Sequence, residues 1–376
     1  MGDNMNILML SNHMNVSGVN THIIELSKQL VIDGHNVYIV SSGGKYESDI
    51  EKLGIPHIIL PLNKINNPLI LLRTIIKVLL LSRRLNIDII HCHWRKTSLV
   101  AQFVWLFSKI PYVWTNHLDN IPSTFIHRLL SFHRFKTIAV SGKLKEFLVN
   151  NLKIEPKDIY IIHNGIDSNN YLPLSTEERT LIRKKFNVTE DDFVISILAR
   201  LTPVKGHKEL ISVLAALKKE GYSFKLLIAG EGPREYTEAL RNMVRDLKMD
   251  DSIFFIGYQN PREVLGISNL FVLSSYNEGF PVACIEALAM KVPVVRTKTA
   301  GWEEMKDAIL LCNIGDLNEL KDCIRKVMND KELAKTLSNE GFKLFHEKFS
   351  SKQMTTKTLD VYKEVISTTL SPVEIW

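Results

Sequence analysis

Two glutamates eight positions apart, Glu278 and Glu286 in NEGFPVACIEAL, are the residues whose type and spacing point most directly to chemistry. Paired carboxylates can act as acid and nucleophile in glycoside cleavage. Equally, an ionised carboxylate is a pure acceptor that can hold sugar hydroxyls. Pro281 fits the first position of a helix through VACIEALAM, where its missing N–H costs nothing. A helix beginning there would present N–H groups and partial positive charge to a phosphate. Glu278 then lies in the loop ahead of the helix and Glu286 about one turn inside it, placed for a transferred sugar and for a ribose respectively. The neighbours of Glu286 (Ala283, Cys284, Ile285, Ala287 and Leu288) are apolar, which argues against a simple solvated face.

Cations complement these carboxylates. Arg200 closes an apolar run and Lys205 follows five residues later in LTPVKG. A bidentate guanidinium and a point-charge ammonium together suit a diphosphate. Gly230 in Gly230-Glu231-Gly232-Pro233 and the pair Gly257-Tyr258 mark turns where backbone can approach a ligand. Each of these signals alone is weak, since surface cations and loop glycines are common.

Short β-branched runs alternate with segments of helical period, the pattern of βαβ units around parallel sheets. Strands are expected at 6–11, 36–42, 57–60, 88–93, 112–116, 137–141 and 159–163. After a polar connection over 168–190, a second series is expected at 193–200, 225–232, 253–258, 270–275 and 292–297. The expected architecture is therefore α/β, with two Rossmann-like doubly wound domains facing across a cleft. The first spans 1–170 and is completed by a C-terminal helix in 351–376; the second spans 171–350. Ligands in open α/β sheets bind beyond the carboxyl ends of the strands, which is where the residues above fall.

Composition narrows the setting. Residues 1–170 hold 18 Lys and Arg against 12 Asp and Glu, whereas residues 171–376 hold 29 of each, so the net charge of +6 belongs to the first half. Such asymmetry indicates an anionic partner for that half, and no nucleic-acid-binding motif accompanies it. The segment 67–85 is apolar, but Arg73 and Lys77 interrupt it at a cost of about 2.5–3.5 kcal/mol each for insertion. Its two readings are a sheet-covering helix with a solvated stripe and a basic amphipathic helix lying on a membrane. A second basic cluster at 127–136 favours the membrane surface. Four scattered cysteines lack any CxxC pattern and suggest buried thiols in a reducing compartment. With no signal-peptide pattern in MGDNMNILMLSN, the expected location is cytoplasmic, peripheral on the inner face of the membrane.

The ordered set Arg200 and Lys205 in ARLTPVKG, GEGP at 230–233, NGID at 164–167 and Glu278-GFPVACI-Glu286 resembles glycosyltransferase family 4, retaining enzymes of the GT-B fold. The resemblance covers nearly the whole chain. It implies that Arg200 and Lys205 hold a nucleoside diphosphate, and that the loop backbone at Gly279, Phe280, Pro281 and Val282 touches phosphate and sugar. Glu278 would face the donor sugar and Glu286 the ribose. Gly18 in NVSGVN matches a glycine-rich loop near the diphosphate and acceptor, and His117 in TNHL a histidine lying against the donor sugar. The implied reaction moves a sugar from a nucleoside-diphosphate sugar, UDP-linked first and GDP-mannose second, to a hydroxyl of a glycan or lipid-linked acceptor. The implied role is in cell-surface polysaccharide or lipopolysaccharide assembly. No metal cofactor is expected: no DxD-like carboxylate cluster suggests a divalent ion, and the doublet Asp191-Asp192 precedes a strand within the polar connection.

Two departures stand out. The first loop has one glycine where the family often has two, and Ala300-Gly301-Trp302-Glu303-Glu304 keeps only Gly301 and Glu304 of the usual Gly-Gly-x-Pro-Glu. Three alternatives remain at the level of sequence. A hydrolase built on the glutamate pair leaves Arg200 and Lys205 unexplained. An epimerase of the same fold needs further acid/base groups near the sugar. A non-catalytic module would bind sugar nucleotides or an anionic surface.

Overall fold

The computed structural model describes residues 4–118 and 134–370. The chain divides into two compact units, Met1–Gly165 together with Ser351–Trp376, and Ile166–Ser350. The first boundary thus falls five residues before the expected one.

Seven parallel strands form the sheet of the first unit: β1 (Asn6–Leu10), β2 (Asn36–Ser41), β3 (His57–Ile59), β4 (Ile89–Cys92), β5 (Tyr112–Asn116), β6 (Thr137–Ala139) and β7 (Ile159–Ile161). Their order is β3-β2-β1-β4-β5-β6-β7, so the winding reverses between β1 and β4. Helices cover both faces of such a sheet, which is why β4 and β5 are buried at every position. The helix Gly18–Ile32 follows β1, its start fixed by the Ser17 side chain accepting from the Asn20 amide. Ile23, Leu26 and Leu30 pack it onto the sheet, whereas Val31 and Ile32 at its end are exposed. The helix Ser351–Leu370 adds Met354, Val361, Tyr362 and Val365 to the core that holds Ile7, Met9 and Ile23. It therefore belongs to the first unit despite its place in the chain.

In the second unit the parallel strands are β8 (Val194–Leu198), β9 (Lys225–Ala229), β10 (Ile253–Gly257), β11 (Leu270–Leu273), β12 (Val294–Thr297) and β13 (Leu310–Cys312). The order β10-β9-β8-β11-β12-β13 repeats the reversal, here between β8 and β11. Strand β13 is absent from the sequence expectation. Apart from β12, the strands also end earlier than expected, as their last residues give way to loops. Past β8, Ala199 still donates to the Ala229 carbonyl of β9, whereas past β11 Tyr276 donates to the Val204 carbonyl in a neighbouring loop.

The polar stretch 168–190 is not a linker. It contains a 3₁₀ turn (Ser168–Tyr171) and a helix (Thr176–Lys185) opened by a reciprocal cap between Ser175 and Glu178. Ile182, Phe186 and Val188 pack this helix against Val194, Leu227 and Ile267. Inside the same unit, Asp192 is spent on its own turn, accepting from the Thr189 amide and hydroxyl.

The helix Pro68–Arg84 is capped by Asn67 with Pro68 at its first position, and it buries Thr74, Ile75, Val78 and Ser82. Its outward side is not a solvated polar stripe: Leu69, Leu72, Ile76 and Leu80 are exposed beside Arg73, Lys77, Arg83 and Arg84. Leu106 and Phe107 of the adjacent helix Arg95–Ser108 are exposed as well, and Arg83 donates to the Phe107 carbonyl. Among the described residues no helix is long and apolar enough to cross a membrane. Residues 127–133 of the second basic cluster lie outside the described residues.

Candidate active site

The carboxyl ends of β8 and β11, at the reversal of the second sheet, bring four of the sequence-selected residues onto neighbouring segments. Arg200, two residues past β8, is exposed and its guanidinium has no hydrogen-bond or ion-pair partner among the described residues. Lys205 ends a short 3₁₀ turn (Pro203–Lys205) and meets Glu278, with Nζ to Oε1 at 2.7 Å. The Ser275 hydroxyl donates to the same oxygen at 2.6 Å. Glu278 is nearly buried, so these donors offset the desolvation of its charge.

The loops carrying this pair are clamped together. Gly206 adopts φ +69, and a Cβ there would lie 2.0 Å from the Ser274 carbonyl oxygen. The Ser274 hydroxyl donates to the Gly206 carbonyl at 2.8 Å. Lys205 and Glu278 are thereby fixed by backbone as well as by charge.

Glu286 is buried in the helix Val282–Ala289 and accepts from the Tyr171 hydroxyl at 2.7 Å. Tyr171 comes from the 3₁₀ turn that Asp167 of NGID caps, so that motif positions a partner of Glu286 within this unit. Pro281 stands one residue before the helix rather than at its first position. The N–H groups that open the helix, from Val282, lack intrahelical acceptors, as at any helix start, until Cys284, which donates to the Pro281 carbonyl. The Phe280 side chain turns inward, edge-to-face with Phe349 at 5.3 Å, leaving its backbone on the loop.

The glycine turns have an internal explanation. At Gly230, with φ +146, a Cβ would lie 2.0 Å from the Ala199 carbonyl oxygen, and at Gly232 one would lie 2.0 Å from that of Leu201. Close approach of the chain to itself accounts for both glycines without a ligand. Gly257 (φ +69) sits at an irregularity in the β10–β9 ladder, accepts from the Gly230 amide and leaves Tyr258 exposed. Gly301 (φ +82) would bring a Cβ within 2.7 Å of the Phe280 ring. Its loop is held by the buried Arg296 guanidinium, which donates to the Thr299 hydroxyl and to the Thr299 and Ala300 carbonyls. Sequence reasoning passed over Arg296, since an arginine within an apolar strand carries no ligand signature.

In the first unit, Gly18 is the exposed first residue of its helix. His117, just past β5, is buried among other imidazoles. Its Nε2 lies 3.3 Å from Nδ1 of His93, and the ring centroid of His22 is 4.8 Å away. The His22 Nδ1 pairs with Asn164 Oδ1 at 2.9 Å. His91 lies tilted against His93, ring centroids 4.2 Å apart, and bonds the Tyr362 and Thr115 hydroxyls. Burial pushes His22 down to about 4 and, with neighbouring imidazoles adding to the effect, holds His91, His93 and His117 well below the ordinary histidine range. All four are therefore neutral at pH 7. A neutral, weakly basic His117 can position a hydroxyl but is a poor general base. The sequence reading missed His22 and His93. Alternation along 91–93 places His91 and His93 on one face of a strand and could have flagged them; nothing in the sequence marks His22.

Comparison with known proteins agrees with this picture. The profile of Glycosyltransferase Family 4 matches residues 16–170, and that of Glycosyl transferases group 1 matches residues 178–344. The N-acetyl-alpha-D-glucosaminyl L-malate synthase of Bacillus anthracis is 26% identical over 301 residues, 76% of this chain and 77% of that protein. The capsular polysaccharide biosynthesis glycosyltransferase CapM of Staphylococcus aureus is 27% identical over 241 residues, 60% of each chain. Anabaena HepE, solved with UDP and glucose, aligns with a TM-score of 0.83 over 96% of this chain and 100% of its own at 19% identity, a likeness of fold. Two Rossmann-like parallel-sheet units of this kind define the GT-B glycosyltransferases. The chain belongs to glycosyltransferase family 4.

Proposed function

We propose that this glycosyltransferase moves a sugar from a UDP-sugar to a hydroxyl of a glycan or lipid-linked acceptor, with retention at the anomeric carbon, in the assembly of a cell-surface polysaccharide. The observation that carries the reading is the gathering of Arg200, Lys205, Glu278 and Glu286 at the sheet reversal of the second unit. Cations there offset the charge that develops on a departing diphosphate, and the helix start at Val282 adds N–H groups to the same task. Glu278 accepts from hydroxyls of the transferred sugar and Glu286, steadied by Tyr171, from those of the ribose. His117, neutral and buried, positions the sugar in the first unit. The donor phosphate takes the acceptor proton as the new bond forms on the face the diphosphate leaves. No divalent ion is required, because the charge is met by side chains and backbone.

UDP is favoured over GDP because HepE was solved with UDP. The polysaccharide role draws on CapM, and lipopolysaccharide is one such product. Measuring transfer with a panel of UDP- and GDP-sugars, followed by NMR of the product's anomeric configuration, tests the donor and the stereochemistry. Glycoside cleavage without any nucleotide sugar, or an inverted product, would overturn the reading.

We further propose that the first unit rests on an anionic membrane surface through the helix Pro68–Arg84. Its exposed leucines and flanking cations combine apolar insertion with attraction to lipid headgroups. That location matches a lipid-linked acceptor and a cytoplasmic enzyme held at the inner face.

A further inference from the structure

Strand β12 carries an arginine beside the aliphatic Val294 and Val295, and Arg296 is fully buried. Arginine is almost never fully buried unless an acid pairs with it. Here every hydrogen bond ends on a neutral acceptor. Nε–H donates to the Thr297 carbonyl at 3.2 Å and one Nη to the Met305 sulfur at 3.8 Å. The other Nη donates to the Thr299 hydroxyl at 2.6 Å and to the Thr299 and Ala300 carbonyls at 3.1 and 2.9 Å. Among the described residues no carboxylate pairs with the guanidinium.

A buried cation without an anion costs stability that an aliphatic side chain at this strand position would not. What the guanidinium provides is geometry: a rigid planar fork that gathers the carbonyls of Thr297, Thr299 and Ala300. We propose that Arg296 is a positioning residue for sugar transfer, bracing the loop 299–304 so that it seats the donor-site loop 278–282.

The inference rests on the donor site proposed above, and two contacts connect Arg296 to it. Gly301, with φ +82, lies so close to Phe280 that a Cβ would come within 2.7 Å of the ring, so the braced backbone rests directly on the donor-site loop. On the other side, the Thr297 hydroxyl donates to the Ser275 carbonyl at 2.5 Å, and the Ser275 hydroxyl donates to Glu278. Cys284, buried in the first turn of the helix Val282–Ala289, feels the charges of Arg296, Glu278, Lys205 and Glu286 together. The loop also has a reason to need bracing. Glu303 stands where the usual pattern has proline; a proline ring would fix φ there, and the guanidinium instead fixes the carbonyls just upstream.

Two variants separate the fork from the charge. Arg296→Met removes both, and Arg296→Lys keeps the charge alone. Each should fold, as checked by circular dichroism, and lower kcat about 10–100-fold. The KM for the donor and the calorimetric affinity for the free nucleoside diphosphate should stay within about threefold of wild type. Hydrogen exchange read by mass spectrometry should be faster over 297–305 in Arg296→Met and unchanged in β8 and β9. If a variant at this buried position fails to fold, Thr299→Val takes its place; it removes only the hydroxyl contact and should lower kcat about fivefold. The donor is whichever UDP- or GDP-sugar the wild-type chain turns over, so a GDP-sugar would refute the UDP reading and leave this test standing. Wild-type kcat in folded Arg296→Met, or in Thr299→Val where it stands in, would overturn the proposal. Wild-type kcat in Arg296→Lys would do the same, since charge alone would then suffice. A loss of nucleoside diphosphate affinity as large as the loss of kcat would assign Arg296 a general structural role instead. Unchanged exchange over 297–305 would overturn the bracing without any substrate.

Discussion

At the scale of single residues, Lys205 and Glu278 satisfy one another at 2.7 Å in the absence of ligand. Removing Lys205 leaves Glu278 buried without its cation, and in the proposed function either loss also removes a group that meets the donor. Glu278→Ala and Lys205→Ala should each lower kcat/KM by about 10²-fold or more while secondary structure persists; steady-state transfer assays beside circular dichroism will show it. Tyr171→Phe removes one hydrogen bond to Glu286. A net loss of about 1–1.5 kcal/mol would raise the KM for the nucleotide sugar about 5–12-fold with little change in kcat. His207 offers a test of pH dependence. Burial first, with Lys205 nearby, pushes it down to about 4 from an ordinary 6.5, against a hydrogen bond that raises it. The unfolded chain takes up a proton below pH 6.5 that the folded chain refuses until about pH 4. Stability is therefore full above pH 6.5 and falls on acidification through that window. Over the drop from pH 7 to pH 5 this one group costs about 2 kcal/mol, so His207→Leu should flatten the pH dependence of denaturant unfolding by that amount.

Elements decide what a residue pattern can reveal. Both parallel sheets and their order of strands and helices were legible, because buried β-branched runs separated by amphipathic segments leave a strong periodic trace. Strand β13 was not: three residues make no period, and Leu310–Cys312 is set by pairing with β12. The helix Thr176–Lys185 was hidden by its charge, although the Ser175/Glu178 cap was there to be read. At the site, the glutamates and cations were legible from type and spacing. The reason for Gly230 was not, because it lies in the carbonyl of Ala199, thirty-one residues earlier. Gly230→Ala therefore combines a disfavoured φ with a backbone clash. It should destabilise the chain by more than 1 kcal/mol, lowering Tm by several degrees in a thermal scan.

Across the whole molecule, the basic excess of the first half and the exposed apolar side of Pro68–Arg84 coincide. Leu72→Asp with Ile76→Asp should abolish co-sedimentation with phosphatidylglycerol vesicles and leave transfer to a soluble acceptor intact, whereas binding by the wild-type chain should fall as salt rises. The return of the last helix to the first unit has a consequence in time. Met354, Val361 and Tyr362 complete a core begun by Ile7 and Met9, and Ile166–Ser350 is made in between. At about 5–20 residues per second, a ribosome needs roughly 10–40 s to cross that interval. The unit translated second is thus finished first, while the core of the earlier sheet waits for the apolar side chains of its last helix. Chaperone demand during synthesis should fall on the amino-terminal half.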